Sequence, residues 1–231
     1  METNLLIRSL AEGAQPVSRL LPPWRRTALW LAMSLLYVGV VATLHLGGSE
    51  PRTAIDARLI LEQTATLATA AAAAIAAFSS VVPGRDWRIV LLPLVPLAVW
   101  FAALGQGCLQ DWQDNGAAAL ALRPDWDCAF PAVVLALLPA AAMVLMLRRG
   151  APLVPRMSLA LAALASAAVA TFGLRMFHSD DASVQIIVWH LGGALLFSIA
   201  ASRLGRRVFS WRTGPIRSGH PLHVRRNVSC P

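Results

Sequence analysis

Six runs of about twenty apolar residues recur along the chain and leave little room for any fold other than a bundle of membrane helices. They cover residues 28–46, 59–82, 89–107, 129–147, 157–177 and 184–204. A helix needs about 20 such residues to cross a hydrocarbon core of about 30 Å. We therefore expect an all-α, polytopic membrane protein with six transmembrane helices in residues 27–205. The tails, 1–26 and 206–231, are too short for a separate soluble domain.

Arginine supplies all of the positive charge, because the 20 basic residues include no lysine, and the net charge is +8. The arginines lie between apolar runs rather than on a soluble domain, so we expect no direct nucleic-acid binding. Sixteen of them fall on one side of the predicted bundle, and the other four are Arg52, Arg58, Arg123 and Arg175. Positive residues gather on the cytoplasmic side of membrane helices. Both termini are therefore predicted to be cytoplasmic.

The N-terminal tail, residues 1–26, carries an apolar stripe that has no core of its own to enter. Leu6, Ile7 and Leu10 recur at helical spacing, and Val17 and Leu20 continue the pattern. Two interpretations stay open. The tail is either an interfacial helix that lies on the lipid or a recognition segment that docks into a groove on a soluble partner.

The C-terminal tail, residues 206–231, is rich in Arg, Pro, Gly and Ser. This composition predicts a disordered segment, and its charge favours contact with anionic lipid.

The longest polar interruption, residues 106–128, is predicted to be a loop on the outer side, with Cys108 and Cys128 near its ends. In an oxidising exterior these cysteines could form a disulfide, which would stabilise the fold by about 3 kcal/mol. Alternatively they sense a redox or metal signal, with His178, Asp180 and His190 nearby. No CxxC, HExxH or fixed ligand spacing identifies a metal, so the metal stays unknown.

Glu62 lies about one turn inside the second predicted span, where a carboxylate is costly. The simplest expectation is an ion pair with Arg58, four residues earlier on the same helix face. His190 lies inside the sixth span, where we expect an interhelical hydrogen bond.

Small residues at every fourth position predict helix faces that pack closely. They are Thr66, Ala70 and Ala74 in the second span, and Ser158, Ala162, Ser166 and Ala170 in the fifth. Prolines are expected to kink two other spans, Pro93 and Pro96 the third and Pro131 and Pro139 the fourth.

The sequence lacks the usual motifs of an enzyme, since it has no Gly-rich phosphate loop, no GxSxG and no metalloprotease helix. We therefore expect neither catalysis nor a cofactor. Two alternatives remain beside a regulatory role. One is a transporter for a small solute, with Glu62, Gln106 and His190 lining its path. The weaker one is a membrane thiol oxidoreductase, which would ordinarily need a CxxC.

Short motifs in a specific order resemble the DUF1109 family, the negative-regulator-of-sigma-F type of anti-sigma factor of proteobacteria. The matching stretches are LIRSLA at 6–11, PVSRL at 16–20, VPGR at 82–85, LGQGC at 104–108, Cys128, RRGAPL at 148–153, and His178 with Asp180, Asp181, Trp189 and His190. The resemblance implies a protein of the bacterial inner membrane. Its cytoplasmic tail would sequester an extracytoplasmic-function sigma factor, and its periplasmic face would respond to stress through cysteines.

One position departs from the family pattern. Ser179 follows His178 where the resemblance leads us to expect a cysteine. Any cysteine-based signal would then rely on Cys108 and Cys128 alone.

Overall fold

The computed structural model describes residues 2–12, 20–45, 57–116, 126–150, 154–177 and 192–208. Helices account for most of these residues, and no strand occurs among them. The prediction of an all-α fold is therefore confirmed for the described part of the chain. The helices are α1 (Glu2–Glu12), α2 (Pro23–His45), α3 (Ala57–Ser79), a 3-10 helix (Trp87–Leu91), α4 (Leu94–Asn115), α5 (Trp126–Arg148), α6 (Pro155–Phe177) and α7 (Gly193–Val208).

In the described part of the chain, four helical segments are long and apolar enough to cross a membrane. They are Ala57–Ser79, Trp87–Asn115, Phe130–Arg148 and Pro155–Arg175. Four of the six predicted spans therefore correspond to helices of sufficient length and apolar composition, and the number six is not confirmed. Helix α2 coincides with most of the first predicted run, and the 16-residue α7 with part of the sixth.

The helices flanking the predicted outer loop extend further than hydropathy indicates. Helix α4 continues through the polar residues after Cys108 and ends at Asn115. Helix α5 begins at Trp126, so Cys128 lies in its first turn. The prediction that both cysteines lie at the ends of a loop spanning residues 106–128 is therefore wrong. Asp, Gln and Asn side chains can continue a helix at little cost once it has left the apolar layer.

The prolines expected to kink the third span lie where its 3-10 helix gives way to α4. Pro93 is the N-cap of α4, and Pro96 lies in the first turn. The first N–H groups of a helix have no partner within it, so a missing N–H costs nothing there. Pro131 and Pro139 do lie inside α5, as expected.

Helices α3 and α6 form the centre of the bundle and run antiparallel. Both predicted rows of small residues are buried, and this pair packs more extensively than any other except α6 with α7. The buried hydroxyls do not need a partner across the interface, because several bond within their own helix. Thr66 Oγ1 donates to the Glu62 carbonyl at 2.7 Å, and Ser166 Oγ donates to the Ala162 carbonyl at 2.8 Å.

Helices α2 and α5 are also antiparallel. Trp30 Nε1 donates to the Pro139 carbonyl at 2.9 Å, and Tyr37 Oη donates to the Val134 carbonyl at 3.0 Å. The start of α2, the end of α3, the end of α5 and the start of α6 therefore share one end of the bundle. We call it the basic end, because it carries Arg25, Arg26, Arg85, Arg88, Arg148, Arg149 and Arg156. It corresponds to the side predicted to be cytoplasmic.

A close approach between α2 and α6 depends on Gly173. A Cβ atom at this position would lie 2.7 Å from Val38 Cγ1, which is too close for two carbon atoms. We expect Gly173→Ala to lower the free energy of unfolding by about 1–3 kcal/mol through overpacking, as measured by thermal unfolding in detergent. The matched control is Gly105→Ala, where no atom lies within 4 Å, and it should be neutral or stabilising by up to about 1 kcal/mol. An equal loss in both variants would contradict this account.

Candidate functional site

Helix α1 presents apolar side chains ahead of the bundle. Leu5 and Ile7 are 67% and 59% exposed, and among the described residues α1 takes no part in the extensive helix contacts. The predicted stripe residues Leu6 and Leu10 lie in α1, although their side chains are outside the described part. Leu20 is exposed just before α2, and Val17 lies outside the described residues.

The helical geometry of α1 places its leucines on two different faces of the helix. At about 100° per residue, Leu6 and Leu10 lie about 40° apart and Ile7 lies about 60° from Leu10. Leu5 lies about 140° from Leu10 and so belongs to a different face. The stripe of Leu6, Ile7 and Leu10 stays a prediction, because the side chains of Leu6 and Leu10 are outside the described part.

The tail joins the bundle at the first turn of α2. The Pro22 carbonyl accepts hydrogen bonds from the backbone N–H groups of Arg25 at 3.0 Å and Arg26 at 3.2 Å. The Arg25 guanidinium lies 5.1 Å from the ring centroid of the exposed Trp24. An aromatic and a basic residue side by side are typical of a helix end at a membrane surface.

Arg26 ties this junction to two other helices. Its Nη2 donates to the carbonyl of Met146, near the end of α5, and its guanidinium lies 4.4 Å from the ring centroid of Phe78 on α3. A cation near a helix C-terminus is favoured by the helix dipole, and a cation over an aromatic face by the ring quadrupole. The start of α2 is thus fixed to α3 and α5.

Glu62 forms a buried ion pair at the opposite end of the bundle. Arg175 Nε lies 2.9 Å from Glu62 Oε1, and Arg175 Nη2 lies 3.0 Å from Glu62 Oε2. The side chains are 8% (Arg175) and 1% (Glu62) exposed. Such a bidentate arrangement suits the planar guanidinium. The expected pairing of Glu62 with Arg58 is therefore wrong, because the carboxylate turns inward to α6 rather than along its own helix.

Arg58 points instead towards α4. Its Nη1 donates to Gln110 Oε1 at 3.2 Å. Gln110 comes two residues after Cys108, which is half-buried in α4. The start of α3 is therefore linked to the part of α4 that carries a predicted sensing residue.

The other predicted sensing residues lie wholly or partly outside the described part of the chain. Cys128 lies in α5 but its side chain is outside the described part, and His178, Asp180 and His190 lie outside the described residues. Among the residues that are described, no group of three or more His, Cys, Asp or Glu could hold a metal ion. The sensing set stays a prediction.

The described residues of the proposed transport path do not share a surface. Glu62 is enclosed between α3 and α6 by Arg175, whereas Gln106 is exposed on α4. A carboxylate that is held bidentately inside the bundle does not line a path with an exposed side chain, so this arrangement does not favour a transporter.

Arg26 and Arg175 are the two residues of this framework that sequence reasoning missed. A signal was present for Arg175, because it lies inside the fifth apolar run and Glu62 is the only acidic residue inside any of the six. For Arg26 no comparable signal exists, because its partners are a backbone carbonyl and a ring.

Comparison with known proteins connects this framework to a regulator of transcription. The family model described as "Negative regulator of sigma F" (NrsF) matches residues 10–211. No curated protein and no solved structure gives a match. The matched stretch contains Leu10, Val17, Leu20, Cys108 and Cys128, and it includes every helix from α2 to α7. Because the match covers most of the sequence and confirms the resemblance of its motifs, the chain belongs to the NrsF family, the negative regulators of sigma F.

Proposed function

We propose that this protein is an anti-sigma factor of the bacterial inner membrane that holds an extracytoplasmic-function sigma factor through its N-terminal tail. Family membership makes a sigma factor the partner. The observation that carries the proposal is the exposure of the apolar Ile7 on α1, ahead of helices that could cross a membrane. The stripe of Leu6, Ile7 and Leu10, continued by Val17 and Leu20, is the proposed binding surface.

The charges on α1 favour a protein partner over the lipid surface. An interfacial helix usually carries several basic residues on its polar face. Helix α1 has one arginine, Arg8, against Glu2 and Glu12, so an anionic membrane would attract it little. An amphipathic helix without that attraction is well suited to a hydrophobic groove on a soluble protein.

The signal is proposed to arrive at the opposite end of the bundle, on the periplasmic side. A redox change or metal binding around Cys108 and Cys128, with His178, Asp180 and His190 nearby, would move the end of α4. The contact between Arg58 and Gln110 would then transmit the change to the start of α3, one turn from Glu62. Helix α3 reaches the basic end at Phe78, beneath Arg26, and so connects the signal to the tail.

The direct test is co-purification of the tagged full-length protein with candidate sigma factors from bacterial membranes. A variant that lacks residues 1–12 should lose the sigma factor, while its level in the membrane stays unchanged because α1 takes no part in the extensive packing of the bundle. Retention of the sigma factor by this variant would place the recognition site elsewhere.

The proposed sidedness makes its own prediction. Reporter fusions after Arg149 and after Arg207 should behave as cytoplasmic, and a fusion within residues 111–125 as periplasmic, because arginines concentrate at the basic end. A periplasmic C-terminus would contradict the arrangement.

A paired role for the two outer cysteines would make their variants alike. Cys108→Ser, Cys128→Ser and the double variant should share one altered response to stressors, since either change removes a bridge between them. Cys230→Ser is the matched control and should respond normally, because Cys230 lies in the tail predicted to be cytoplasmic. Thiol labelling from the periplasmic side, with and without reductant and stressor, measures the state of the pair. Thiols that never change, together with a normal response of the double variant, would exclude it.

A further inference from the structure

Arg26 is a buried cation whose charge is only partly compensated. Arg26 is only 5% exposed. The Arg26 guanidinium contacts the carbonyl of Met146 and the ring of Phe78. Neither carries a full negative charge. Among the described residues the only ion pair is that of Glu62 and Arg175 at the opposite end, so Arg26 has no carboxylate partner there.

The described surroundings of Arg26 offer neutral hydroxyl groups and a second positive charge rather than a carboxylate. Its Nη1 is buried without a hydrogen-bond partner, and so are Thr27 Oγ1 and Ser79 Oγ at the same end of the bundle. Arg149, just past the end of α5, adds an unfavourable like charge and is itself exposed. Asp86, an acid near this end, is exposed and accepts a hydrogen bond from the backbone N–H of Arg88. A buried charge left in this state is costly, which points to an anionic ligand.

We propose that Arg26 and Arg149 bind the phosphate of an anionic phospholipid between the start of α2 and the end of α5. Guanidinium groups match phosphate geometry, and basic pockets between membrane helices recognise lipid headgroups. The neighbouring Trp24 is exposed and marks the level at which headgroups lie. The exposed Arg149 extends the positive charge from the interior to the surface. Because Nη1 is enclosed, direct contact with it requires a side chain at this junction to turn outward.

The position of the site favours a membrane lipid over the sigma factor as the source of the anion, because the contacts of Arg26 lie at the ends of α3 and α5, two of the helices that could cross the bilayer. The site does not depend on which sigma factor the tail binds, nor on the tail binding one. An acidic side chain of the partner protein remains the alternative source, and the experiment separates the two.

The test measures the thermal midpoint of the purified full-length protein in neutral detergent, without any sigma factor. We expect phosphatidylglycerol to raise the midpoint and phosphatidylcholine to leave it unchanged. In Arg26→Gln and Arg149→Gln, the lipid concentration that gives half of the shift should rise about tenfold, as expected for the loss of one charge-assisted hydrogen bond. The matched control Arg25→Gln should keep the response, because Arg25 is exposed and lies against Trp24 instead.

Four results would overturn the proposal. Equal shifts with both lipids would show that headgroup charge is not recognised. Equal losses in Arg25→Gln and Arg149→Gln would show attraction to surface charge in general. A full shift with inorganic phosphate alone would show a free-anion site, and no shift with any lipid would leave the partner protein as the source. Should Arg26→Gln fail to fold, the exposed Arg149→Gln still decides the outcome.

Discussion

Replacing Glu62 by alanine should cost about 3–5 kcal/mol in the free energy of unfolding, because it leaves the guanidinium of Arg175 buried without its carboxylate. This is a large fraction of the total stability of about 5–15 kcal/mol that is typical of proteins. Arg175→Ala should cost a similar amount. Thermal unfolding in detergent and the protein level in the membrane both measure the effect.

Two further variants sharpen this experiment. Arg58→Ala removes the hydrogen bond to Gln110 but leaves the pair of Glu62 and Arg175 intact, so it should cost less than Arg175→Ala. A double variant, Glu62→Leu with Arg175→Met, should recover much of the loss, because an apolar pair of similar volume often replaces a buried ion pair without penalty. If Arg58→Ala were as damaging as Arg175→Ala, the assignment of the pair to α3 and α6 would be wrong.

Leu10→Glu or Leu6→Glu in α1 should weaken sigma-factor binding tenfold or more. Burying one leucine side chain contributes about 1.5–3 kcal/mol, and 1.4 kcal/mol corresponds to about tenfold in affinity. The target genes should then be expressed constitutively, while the protein inserts into the membrane normally. Affinity can be measured by titrating the detergent-solubilised protein with the purified sigma factor.

Leu5→Glu is the matched control for these variants, since it makes the same change on the same helix. Leu5 is exposed and lies on another face, so its replacement should weaken binding much less. Equal effects at Leu5 and Leu10 would indicate that the whole helix, rather than one stripe, is recognised. Normal repression by the Leu6 and Leu10 variants would mean that α1 is not the binding surface.

Hydropathy predicts the presence of the long helices well, because a helix that crosses lipid must be apolar in every turn. The small-residue rows also could be predicted, since close packing of α3 against α6 leaves room only for residues such as Ala70 and Ser166. Helix ends were harder to predict. Gln110, Trp112 and Asp114 look like a loop on a hydropathy scale, yet they continue α4 to Asn115.

The partner of a buried charge is still harder to predict from the sequence than the end of a helix. Counting along one helix offers Arg58 as the partner of Glu62, but the observed partner is 113 residues away. Which of the two arginines reaches the carboxylate depends on how α3 and α6 are rotated against each other, and local spacing carries no information about that. The apolar stripe of α1, by contrast, can be predicted from the sequence alone. It depends on the spacing of residues within one eleven-residue helix and on no tertiary contact.

The central pair of helices is fastened at both of its ends. Glu62 and Arg175 join α3 to α6 at one end, and at the other the hydroxyls of Ser80 and Ser158 lie 2.6 Å apart. A piston-like slide by one helical turn would move each pair about 5.4 Å out of register and break both connections at once. A tilt of the two helices together breaks neither. A signal that crosses the bilayer through this pair should therefore be a rigid-body tilt of α3 and α6 together. In such a tilt, a small displacement at one membrane surface produces an opposite displacement at the other.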